Sequence, residues 1–98
     1  MFKTVPINLD KIEELNHLLV QNDCFKTVFF KFEEGTGLPN HSDNGFATIQ
    51  IISGSINIDF VNGEHFLLTK GDFLPFNAKI QHNIKANELS KILVTISK

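Results

Sequence analysis

Between Ser55 and Val61 apolar and polar side chains alternate without a break, with Ile56, Ile58 and Phe60 on one side and Asn57 and Asp59 on the other. A period of two is the signature of a strand with one buried and one wet face, and no helix sustains it. The run ends in Asn62-Gly63, and a second apolar stretch, Glu64 to Thr69, returns from it. Asn-Gly between two such runs predicts a two-residue hairpin turn in which both turn residues have φ above zero. The chain is thereby committed to antiparallel β-structure at its centre.

The flanking segments extend the same pattern. Cys24 to Glu33 is predicted as a strand with Val28, Phe30 and Phe32 on one face and Phe25, Thr27 and Phe29 on the other. Both faces are apolar, so one belongs to an interior and the other needs a second cover, for which a partner copy in a homodimer is expected. Gly35-Thr-Gly-Leu-Pro-Asn holds two Gly and one Pro within five residues and is predicted as a loop. Ala47 to Ser53 is a strand in which Ala47, Ile49 and Ile51 point inward and Gln50 outward, toward a sheet or dimer contact. After the turn at Lys70-Gly71-Asp72 come short strands at Phe73 to Phe76, Ile80 to Lys85 and Lys91 to Ile96, with a turn over Asn77 to Lys79. Interior width depends on which of Phe30, Phe32, Ile49, Ile51, Phe73 and Ile84 point inward. Met1 to Asn22 is read as a turn or short helix over residues 9 to 14, capped by Asn8 or Asp10, then a strand from Leu15 to Gln21. The expected fold is all-β, a small antiparallel β-barrel. It forms one domain over residues 1–98, with an N-terminal arm over 1–22 and the barrel over 24–96.

Charge and composition narrow the function. A net charge of −2 with no basic stripe leaves no electrostatic footprint for nucleic acid. No apolar run spans a membrane, and the first ten residues lack the core of a signal peptide, so a cytoplasmic location is expected. Cys24, alone, makes no internal disulfide and is read as a small inert hydrophobe. Ten Phe with no Tyr or Trp point to a packed interior, an apolar dimer face, or both.

Two stretches carry the chemistry. In the first, Gly35 is followed after five residues by His41, then Asp43, Ala47 and Gly54; in the second, Gly71-Asp72 is followed by Pro75-Phe76-Asn77-Ala78 and His82. This pattern resembles the two motifs of the cupin superfamily, and most closely the short single-domain bacterial cupins with an RmlC-like jelly roll, the double-stranded β-helix. The resemblance covers residues 24 to 96. It implies a barrel pocket in which three histidines and a glutamate hold one divalent metal. Here His41 and His82 stand at histidine positions, while Asp43 and Ala47 stand where the second histidine and the glutamate belong.

The readings that remain open differ in Asp43. With His41 and His82 it makes a two-histidine, one-carboxylate set suited to Fe, Zn, Mn or Ni. Alternatively Asp43-Asn44-Gly45 is turn chemistry and the carboxylate bonds its own backbone. Without a metal, the imidazole pair can bind a small molecule or act as acid and base, or be a relic satisfied by water or backbone. The expected function is a small-molecule-binding barrel with His41 and His82 in its pocket and weak or no metal binding. The alternative is a metal-dependent enzyme of dioxygenase or isomerase type using His41, Asp43 and His82. No function falls to His17 or to His65, the latter expected in solvent. Gly35-Thr36-Gly37 lacks the Lys-Ser/Thr of a phosphate loop.

Overall fold

Nine strands make up most of the computed structural model, which describes residues 4–98. They are β1 (Asn16–Gln21), β2 (Phe25–Phe32), β3 (Gly37–His41), β4 (Phe46–Ser53), β5 (Ser55–Phe60), β6 (His65–Thr69), β7 (Phe73–Asn77), β8 (His82–Ala86) and β9 (Ser90–Ser97). They form two antiparallel sheets, one in the order β1-β2-β9-β4-β7 and the other β3-β8-β5-β6. This is the jelly-roll arrangement expected from the sequence. Before β1, Leu9–Lys11 makes a single 3-10 turn capped by Asn8, whose side chain accepts from the Asp10 N–H at 2.9 Å. Residues 1 to 3 of the expected N-terminal arm lie outside the described residues. No helix among the described residues is long and apolar enough to cross a membrane.

The alternation dictates which side chains meet. In β5, Ile56 and Ile58 are fully buried while Asn57 and Asp59 face water. In β4, Ala47, Ile49 and Ile51 are buried and Gln50 is exposed. Register aligns these into rows across the five-stranded sheet. One runs Phe30–Ile92–Ile51, the next Val28–Val94–Ile49–Leu74, and the last Lys26–Ile96–Ala47–Phe76. On the opposing sheet, Ile56 pairs with Ala86, Ile58 with Ile84 and Phe60 with His82. Phe32, Ile51, Ile56, Leu68, Ala86 and Ile92 fill one end of the space between the sheets. Burying side chains of this size stabilises the fold by about 1.5–3 kcal/mol each.

Four sequence expectations need correction. Gly35 to Asn40 is not wholly loop, because Gly37 opens β3. A Cβ there would overlap the Ile84 carbonyl oxygen, so the missing side chain is what lets β3 approach β8. The Asn62-Gly63 turn has only Gly63 at positive φ (97°). With the Gly63 N–H donating to Phe60 O at 3.0 Å, it is a type I turn closed by a left-handed glycine, not the mirror-image turn. Ile80 belongs to the turn before β8, its N–H donating to Asn77 O. Phe73, whose direction the sequence leaves open, points out, 59% exposed. Phe29, on the outer face of β2, is fully buried within one chain and needs no partner there. Phe25, Phe46 and Phe73 remain exposed.

Candidate functional site

At the end opposite the filled layer, the sheets enclose a cavity of ≈ 270 Å3. Its wall is mostly apolar, from Val28, Phe30, Leu38, Ile84, Val94 and Ile96 among others. Its polar groups are His41, His82, Asp43 and Lys26.

Each imidazole is placed by strand pairing and then oriented by its own backbone. His41 ends β3 and pairs with His82, which opens β8. The Nδ1 of His41 lies 2.8 Å from Pro39 O, and the Nδ1 of His82 lies 2.8 Å from Ile80 O. A carbonyl oxygen only accepts, so both rings carry a proton on Nδ1, and the neutral form of each keeps an unprotonated Nε2. The two rings stand 4.4 Å apart, centroid to centroid, at 57°. Phe60 and Phe76 pack around His82, with centroids at 5.6 and 5.0 Å. His82 is 2% exposed, and burial pulls its pKa below the ordinary imidazole value. The Ile80 carbonyl and Asp43 act the other way, and His41 adds to the lowering. His82 is therefore neutral at pH 7, as a donor to a metal or to a ligand proton must be.

Asp43 follows β3 in a short loop held against the turn before β8. Its N–H donates to Ala78 O at 2.8 Å, and the Ala78 N–H donates to Gly45 O at 3.0 Å. Among the described residues no hydrogen bond ends on its carboxylate, so the turn-forming role for that side chain is not what the structure holds. Instead one ligand atom each from His41, Asp43 and His82 lie within 4.8 Å of one another. Donors about 2.1 Å from one tetrahedral ion lie about 3.4 Å apart, so binding draws the widest pair in by up to about 1.4 Å. Two imidazoles and a carboxylate facing an open cavity fit a divalent first-row cation. The fourth family position is Ala47, 4% exposed, whose methyl group leaves this side of the cavity apolar.

The structure thus brings together the three residues picked out by motif spacing. His65 is exposed, and His17 pairs with Glu14 at 3.5 Å, away from the cavity. Lys26 was missed as a lining residue. Its parity with Val28 and Phe30 is the signal that finds it.

A family model described as "Cupin domain" matches residues 28–96. No curated protein is significantly similar in sequence. Among solved structures, the chain resembles an RmlC-like cupin protein from Desulfovibrio desulfuricans at 25% identity, covering 97% of each chain with a TM-score of 0.85. It resembles a cupin superfamily protein from Desulfitobacterium hafniense at 23% identity, covering 99% of this chain and 94% of that one, with a TM-score of 0.85. An RmlC-like cupin family protein with a double-stranded β-helix fold from Methanocaldococcus jannaschii matches at 16% identity, over 99% and 92%, with a TM-score of 0.83. The last two likenesses concern the fold alone.

Proposed function

We propose that this chain, which belongs to the cupin domain family, is a small-molecule-binding barrel acting as one unit over residues 1–98, with His41, His82 and Asp43 as the polar end of its pocket. The observation that carries the reading is the shared tautomer of the two imidazoles. Each spends its Nδ1 proton on a backbone carbonyl, leaving Nε2 for whatever enters the cavity. An orientation of this kind is what metal-ligating histidines use, the outer hydrogen bond fixing the ring. A divalent cation, one of Fe, Zn, Mn or Ni, is held weakly, because three donors remain where the family uses four. When bound, the cation supplies Lewis acidity at the polar end. The chain's own groups orient a ligand against the apolar wall and exclude water behind it. With no cation bound, the Nε2 of His82 is instead free to accept a hydrogen bond from the ligand.

A second reading, a metal-dependent enzyme of dioxygenase or isomerase type, is favoured by one feature: all three donors line the same cavity, so a substrate there has direct access to open coordination positions. The test is metal content after purification without a histidine tag and after addition of Zn(II), Fe(II), Mn(II) or Ni(II), repeated in His82→Ala. The binder reading expects dissociable metal weakened at least about tenfold in the variant, about 1.4 kcal/mol. Stoichiometric metal that survives dialysis and is lost in His82→Ala brings the enzyme forward. Metal retained by the variant removes the site.

The reading extends to a homodimer through the outer face of the five-stranded sheet, where Phe25, Phe46 and Phe73 are exposed. Light scattering that finds a monomer removes this part. A cytoplasmic location is taken from the single free thiol, Cys24.

A further inference from the structure

Lys26 is the one lysine lining the cavity, and it belongs to no ion pair among the described residues. Resting on the pocket reading above, we propose that Lys26 selects the ligand: a small, largely apolar molecule bearing one carboxylate.

Lys26 pairs with Ile96, Ile96 with Ala47, and Ala47 with Phe76, so the lysine sits in the cavity's outermost row. The rows beneath it carry Val28 and Val94, then Phe30 and Ile92. A guest entering here meets hydrocarbon below and the Lys26 side chain in the outermost row. Lysine stems commonly lie over apolar surface with the head in water. Outer-face Lys91, by contrast, reaches Asp10 at 3.6 Å. Lys26 has no such carboxylate within 4.0 Å, although Asp43 lines the same cavity. A guest that covers the mouth strips water from the ammonium, which is unfavourable unless the guest brings an opposite charge. One acid group at the rim supplies that charge, and the apolar wall takes the rest. The titratable groups facing this space are Lys26, His41, Asp43 and His82. Asp43 clusters with the two imidazoles, so Lys26 is the cationic side chain left in this lining to favour an anion. Polyhydroxylated and polyphosphorylated guests do not fit a wall this apolar. A cavity slightly below the ~300–1,000 Å3 usual for drug-sized ligands sets the scale of the guest.

The test uses benzoate and its neutral counterpart benzyl alcohol on the full chain with a chelator present, so that no metal contributes. At about pH 8 imidazoles are neutral. Binding is followed by methyl chemical shifts of Ile84, Val94 and Ile96. The inference expects benzoate to bind about tenfold more tightly than benzyl alcohol. Lys26→Met should bring the ratio of the two Kd values to about one, and Lys26→Arg should preserve it, since guanidinium also pairs with carboxylate. Equal affinities in the unaltered protein, or a preference surviving in Lys26→Met, overturn the role of Lys26 and leave the pocket standing. Failure of both compounds to shift the cavity methyls overturns the pocket reading and this inference together.

Discussion

The two ends of the space between the sheets are built on the same strands and differ only in what those strands carry. Along β4 the inward residues run Ala47, Ile49, Ile51; along β8, His82, Ile84, Ala86; along β2, Lys26, Val28, Phe30, Phe32. At one end branched and aromatic side chains meet and leave no room. At the other, a methyl group, two imidazoles and a lysine face each other across the gap, and the cavity remains. Strand pairing sets the frame equally at both ends, while side-chain volume and polarity decide which end is core and which is site.

The largest expected effect lies at the filled end. Ile92→Ala removes a fully buried side chain and should destabilise the protein by about 2–5 kcal/mol in chemical denaturation. Metal and ligand affinities measured under native conditions should stay near those of the unaltered protein. Parallel loss of both would break the separation between the two ends.

Gly37→Ala strikes the frame under the site. The added Cβ meets the Ile84 carbonyl, so β3 must pull away from β8, at a cost of about 1–3 kcal/mol. His41 moves with β3, and divalent-metal affinity should fall with stability. A variant with normal affinity would show that β3 does not position His41.

Ala47→Glu asks whether the open end lacks only a donor. Supplying a carboxylate at the fourth family position should tighten Zn(II) binding by about tenfold or more in titration calorimetry. It should also lower the apoprotein's stability, because the new charge is buried without a partner. No gain in affinity would mean that the wall at Ala47 does not face the same point as His41, Asp43 and His82.

The smallest effect is on pH dependence. Folding lowers the pKa of His82 from an ordinary value of 6.5, so below that value the unfolded chain binds the proton more readily. Stability is therefore full above about pH 6.5 and falls as the pH drops toward the folded-state pKa, with a slope of at most about 1.4 kcal/mol per pH unit. His82→Gln should flatten that slope in denaturation curves collected across the window. An unchanged slope would assign it to another group.

Most of the frame is legible from the sequence, because a period of two is a local signal and the inward sets of β4 and β5 follow from it directly. His41 and His82 are legible through glycine and histidine spacing. Three features are not, and each depends on contacts distant in the chain. β3 looks like loop because Gly37 and Pro39 are poor strand residues. Its pairing rests on a close approach to Ile84, 47 positions away in sequence. Asp43 looks like a turn residue because its neighbours are Asn44 and Gly45, yet the loop is held by Ala78 and its carboxylate is left for the imidazoles. The outer face of β2 looked as though it needed a partner at Phe29, which one chain buries by itself.

Ligand and metal binding at this site both depend on the two imidazoles presenting a bare Nε2 to the cavity. Long-range 1H–15N correlation of the histidine side chains, before and after Zn(II), reads this directly. The account predicts Nδ1-protonated tautomers for His41 and His82 at neutral pH and a Zn(II)-induced shift at Nε2 of both rings. An Nε2-protonated ring at either position, or Nε2 resonances indifferent to Zn(II), would contradict it.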